Sequence, residues 1–176
     1  MMDNRQVDEI EARVQAALKE AIAIAKREKR SDAGYTRAVK ESLTGPGHEL
    51  GYVVCASLCK GADNGEWLFD LTWAKERKRP TGGTDFIDMP LVVESEWHKD
   101  FEEEVLADFG KLMVARAWLR VMVFQGPDSQ TKKRCFERLR ESIRAFAGSR
   151  PGDRYLFAYF NYDPAVFDVE FEQYVA

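Results

Sequence analysis

Apolar residues return at three- and four-residue steps from Val7 through Ile10, Val14, Ala17 and Ala21 to Ile24, with Leu18 and Ile22 widening the stripe. That period is one face of a helix and predicts one over 5–29, with Asp3 or Asn4 placed to cap its start. The spacing is close to a heptad, so a homodimer through this N-terminal helix is one arrangement it allows. Fewer than three full heptads favour packing on its own domain. Tyr35, Ala38, Val39 and Leu43 predict a second helix over 33–44, with the breakers of "TGPGHE" as its stop.

The period then changes. "GYVVCASLC" (51–59) and "EWLFDLTW" (66–73) are rich in strand formers, and the turn residues "KGADNG" between them predict an antiparallel hairpin. In the second strand Glu66, Leu68, Asp70 and Thr72 fall on one face, and Trp67, Phe69, Leu71 and Trp73 on the other. A long basic loop follows, "AKERKRPTGGTDFIDMP", and then a third strand, "LVVESEW" (91–97). Phe101, Val105, Phe109, Leu112 and Met113 predict a helix over about 100–116, with Glu102, Glu103 and Glu104 at the positive end of its dipole. "LRVMVFQ" (119–125) reads as a fourth strand. Pro127 and Asp128 open a helix with Phe136, Leu139, Ile143 and Phe146 inward and Gly148 as its stop. "RYLFAYFNY" and "AVFDVEFEQYV" are two more strands, joined at Asp163 and Pro164. The first is apolar on both faces, as a covered strand must be. Trp67, Trp73, Tyr155, Phe157, Tyr159 and Phe160 all read as core. The order α-α-β-β-β-α-β-α-β-β predicts an α/β fold, a mixed sheet flanked by helices, in a single domain spanning 1–176.

Composition adds bounds to this pattern. Of 176 residues, 45% are hydrophobic, enough for a real core. A net charge of −4 gives no global signature of nucleic-acid binding, so any such surface must be local. Lys75, Arg77, Lys78 and Arg79 form a dense basic strip. An odd count of three cysteines, with no metal-like spacing, points to reduced thiols and a cytoplasmic location. The start is charged, unlike a signal peptide, and no apolar run approaches the ~20 residues a membrane span needs. The sequence holds no P-loop and no G-x-S-x-G.

The candidate chemistry is carboxylate chemistry. Asp70 stands among apolar residues on the second strand, and Glu94 and Glu96 share a face of the third. If these strands are neighbours, the three acids converge, and a hard cation such as Mg²⁺ or Mn²⁺ is the usual resolution of their repulsion. The alternative is the solvated end of a strand, with Asp70 bonded in a turn or paired with Arg120. Glu104, Asp108 and Lys111 line one side of the following helix. They either pair among themselves or bring Lys111 back toward the acids, where it can orient a water and stabilise charge on a phosphate. His48 and His98 read as surface or capping groups.

With Asp in "LFDLTW", Glu-x-Glu in "VVESEW" and a lysine-bearing helix after them, residues 33–125 resemble the PD-(D/E)XK nuclease superfamily. That resemblance implies a restriction-endonuclease-like core, α-β-β-β-α-β, and a Mg²⁺-dependent phosphodiesterase acting on nucleic acid. Asp70 and Glu94 would hold the metal. Phe69 stands in place of the family proline. Glu96 stands where a lysine is expected, as a further ligand or a holder of water, and Lys111 is the candidate replacement. The family often adds an acid from the first core helix, for which Glu41 is the best match and Glu49 the next. The basic strip would contact phosphates. The N-terminal helix (5–29) and the helix plus strand pair (126–176) lie outside this core. The missing lysine at 96 and the acidic net charge favour a second outcome, a catalytically inactive adaptor or oligomeric binding protein of the same fold.

Overall fold

A computed structural model describes residues 4–98, 101–163 and 168–176. Six strands lie in chain order in one open sheet: β1 (Val53–Cys55), β2 (Leu71–Lys78), β3 (Thr84–Glu96), β4 (Leu119–Gly126), β5 (Arg154–Asn161) and β6 (Asp168–Val175). The first three pair antiparallel, β3 to β4 and β4 to β5 pair parallel, and β5 to β6 pair antiparallel. Each parallel step needs a crossover, and each has a helix in it. These are α4 (Leu106–Val114), entered through a π-helical turn (Phe101–Val105), and α5 (Ser129–Ala145).

The sheet is covered on both faces. On one side α1 (Asn4–Arg27) and α2 (Asp32–Ser42) bury Val14, Leu18, Ile22, Val39 and Leu43 against Trp73, Leu91, Val93, Val121 and Leu156. On the other, α4 and α5 bury Phe109, Leu112, Phe136 and Leu139 against Val92, Met122, Phe124, Phe157 and Tyr159. Alternate residues of β4 and β5 feed the two cores, which is why their sequences are apolar throughout. Arg154 fastens α1 to the sheet, with Nε 2.9 Å from the Glu11 carboxylate. The near-heptad stripe of α1 is thus buried inside its own chain.

Several expected boundaries move. "TGPGHE" does not end the helical region but forms a short helix, α3 (Thr44–Glu49). Pro46 is its third residue, where a missing N–H costs no intrahelical bond. β1 is only three residues long. β2 starts at Leu71, not Glu66, and the basic segment expected as a loop is its outer half, paired with Thr84–Asp88 of a β3 longer than expected. Trp67 is therefore not core: it is 53% exposed, ahead of β2. The helix expected from about 100 is regular only from Leu106. Asp128 caps α5 as expected, accepting from the Thr131 N–H at 2.6 Å. Asp3, and the join at Pro164, fall outside the described residues. No helix among those residues is long and apolar enough to cross a membrane.

Candidate active site

The register decides what meets what. Leu71 pairs with Val93 and Thr72 with Val92. One step further sets Asp70, the residue just before β2, opposite Glu94. Asp70 is fixed there by Ser95, whose backbone N–H and hydroxyl both donate to Oδ2, at 2.9 and 2.7 Å. Glu94 shares the sheet face of Val92 and points toward α4. It is 3% exposed, and its Oε1 is buried without a hydrogen bond.

Lys111 reaches back from α4. Its Nζ is 3.6 Å from Glu94 Oε1, an ion-pair distance too long for a hydrogen bond, and 2.6 Å from Asp108 Oδ1. The i, i+3 pairing of Asp108 with Lys111 is the one expected from their spacing, and it holds the ammonium against Glu94. Burial pushes the Glu94 carboxyl up to about 8, and the carboxylates of Asp70 and Asp108 add to the rise against the opposing pull of Lys111. Lys111 is raised in turn, first by its bond to Asp108. The site thus contains a protonatable glutamate and a firmly cationic lysine within one ion-pair distance.

The remaining acids lie elsewhere. Glu96 is half-buried and turns its Oε1 to the N–H of His98, at 2.6 Å, closing the end of the strand. Glu41 is on α2, which packs on the opposite face of the sheet. Its Oε1 accepts from Lys60 N at 3.4 Å, and its side chain lines a cleft between α1 and α2. Glu49 pairs with Arg13 at 2.7 Å. Among the described residues, no group of three or more His, Cys, Asp or Glu side chains gathers so as to hold a metal ion. The pair Asp70–Glu94 is what the fold brings together. His48 bonds Asp63 at 2.9 Å on the surface.

Lys75, Arg77 and Lys78 project from the outer half of β2 and Arg79 from the turn after it, all exposed. Arg77 and Arg79 share one carboxylate, Asp85, at 3.1 and 2.7 Å. Lys75 and Lys78 have no ion pair among the described residues. Ser95 is the site residue the sequence did not single out. Its one signal was its place between two acids. Family models, curated proteins and solved structures were compared with the chain, and none matches.

Proposed function

We propose that the chain is a Mg²⁺- or Mn²⁺-dependent phosphodiesterase acting on nucleic acid, built on a restriction-endonuclease-like core. The observation that carries this reading is the juxtaposition of Asp70, the unbonded Glu94 Oε1 and Lys111. The run α2-β1-β2-β3-α4-β4 supports it, since it follows the core order that the resemblance implies. So does the placement of the acids at the mouth of one strand and on its antiparallel neighbour, with the lysine on the next helix.

The donor set fits a hard cation. A buried carboxylate oxygen without a hydrogen bond, beside a second carboxylate, is an arrangement that Mg²⁺ relieves, and Mg²⁺ is commonly held by one or two carboxylates plus water and phosphate. Asp70 and Glu94 would hold it. When bound, such an ion polarises a phosphate oxygen and makes its water more acidic. Ser95 orients Asp70. Asp108 keeps Lys111 charged and in place, so Lys111 acts as a cation toward the phosphate and not as a base. Glu96 enters only by leaving the His98 N–H. The exposed cations of β2 bind the phosphate backbone away from the reacting bond.

A second reading has its own observation. Asp70 is already satisfied by Ser95, and Lys111 by Asp108, as in a scaffold that binds without cleaving. Incubating labelled single- and double-stranded DNA and RNA with the protein in Mn²⁺ separates the two. We expect cleavage that chelator abolishes and that Asp70→Asn and Lys111→Met each reduce by at least about 100-fold, the scale of losing a key electrostatic group. Intact substrates at saturating metal, with the protein folded, would leave the non-cleaving scaffold.

A further inference from the structure

Trp73 is fully buried and Trp97 nearly so, yet Trp67 is 53% exposed and its ring lies 5.1 Å from that of Phe86, which is 48% exposed. Leu68 and Ile87, their neighbours in sequence, are exposed as well. Apolar side chains grouped this way on a surface mark a site of contact.

The patch has a defined position. Phe86 pairs with Glu76, and the extra residues of the β2–β3 hairpin are all on β3: Trp73 meets Leu91, Lys75 meets Asp88 and Glu76 meets Phe86. Alternation along β2 is therefore unbroken, and Thr72, Ala74, Glu76 and Lys78 share one face. It is the face of Val92 and Glu94. From Asp70 to Glu76 is six residues, or ~20 Å at ~3.3 Å per residue. Lys78, two residues along this face from Glu76, has no ion pair among the described residues; Lys75 falls on the opposite face. The hairpin tip, residues 77–85, has three cations to one carboxylate, in a chain of net charge −4.

We propose that Trp67 and Phe86, flanked by Lys78, form a stacking platform for unpaired nucleic acid, on the same sheet face as Asp70 and Glu94. Flat apolar rings beside a free cation match a strand whose bases offer π-faces and whose phosphates offer charge. A duplex keeps its base faces stacked inside and cannot use the rings. The inference rests in part on the phosphodiesterase reading, which it extends. Phe86, opposite Glu76, lies ~20 Å along the strand from Asp70, and Trp67, three residues before Asp70, at most ~11 Å from it, so a strand stacked on the rings reaches the carboxylate pair within about three to six nucleotides at a rise of ~3.4 Å.

Anisotropy of labelled dT and rU strands of about 12 nucleotides, a length within usual site sizes, and of a duplex of equal length, tests this in chelator, where no cleavage occurs. Wild type should bind the single strands more tightly than the duplex. Trp67→Ala and Phe86→Ala should each weaken that binding by about tenfold or more at fixed salt, Trp67→Phe should restore most of it, and circular dichroism should be unchanged. Stronger binding of dT or of rU supports the platform either way. Wild-type affinity in both alanine variants, or tighter binding of duplex, overturns it. The two proposals fail separately. Single-strand binding without cleavage in metal removes the phosphodiesterase and leaves the platform. Cleavage and binding indifferent to Trp67→Ala remove the platform and leave the phosphodiesterase.

Discussion

Glu94 concentrates the chemistry of this molecule in one side chain. Its carboxyl is raised from the ordinary 4.5 to about 8, chiefly by burial. The folded state thus holds a proton that the unfolded chain releases near 4.5. Stability from this group is fully present below that value and is lost as pH rises toward 8, by on the order of 4–5 kcal/mol. Glu94→Gln keeps the shape and removes the titration. Urea unfolding in chelator should therefore show the variant close to wild type at pH 4.5 and more stable by several kcal/mol at pH 8.5. A constant difference across that range would mean that Glu94 does not titrate as described. Lys111 admits a sharper separation of charge from shape. Under the proposed phosphodiesterase reading, Lys111→Arg should retain part of the cleavage that Lys111→Met loses, because that reading asks of Lys111 only a cation near the phosphate. At this scale the acids were legible, because the period of a strand fixes which residues share a face. Ser95 was not, since a serine between two glutamates gives no sign of which carboxylate it will hold. Nor was the turn of Glu96 onto the His98 N–H, which depends on where the strand stops.

The elements that deviated from expectation did so for reasons of environment. The outer halves of β2 and β3 face water on both sides, so nothing forces an apolar alternation, and "AKERK" carries no strand signal although cross-strand hydrogen bonds hold it extended. α3 was hidden by its own composition. Gly-Pro-Gly breaks a helix interior but not a first turn, and at Gly47 small size is required. A Cβ there would stand 2.8 Å from the Trp73 indole Nε1 and from a Val54 methyl, while that indole donates to the Leu43 carbonyl at 3.1 Å. Gly47→Ala should accordingly cost about 1–3 kcal/mol through overpacking. Gly45→Ala, whose Cβ meets nothing within 4 Å, should be neutral or stabilising by up to about 1 kcal/mol. Thermal melts of the two variants side by side check this. Equal melting temperatures would show that Gly47 is not confined by Trp73. The amphipathic helices and the doubly covered strand β5 were readable throughout, because burial on one or two faces leaves a period in the sequence.

Across the whole molecule, two cores share one sheet, and α1 belongs to the first of them. Removing residues 1–30 strips the helix that packs on α2, β4 and β6 and takes Val7, Ile10, Val14, Leu18 and Ile22 out of the first core, so the truncated chain should lose its cooperative urea transition. The full chain should sediment as a monomer, its helical stripe being buried in its own core. A dimer of the full chain would require another surface. Strand alternation and turn signals predicted a mixed sheet, but its order and its parallel centre follow from crossovers that no local pattern encodes. That order is what sets Asp70 beside Glu94 and turns α4 so that Lys111 reaches them. The claim that this arrangement binds a cation is tested most directly by calorimetric titration of Mn²⁺ at pH 8 into wild type and Glu94→Gln. The account predicts a saturable site in the wild type, with protons released on binding, and none in the variant. Equal heats from the two proteins, or no binding by the wild type, would contradict it.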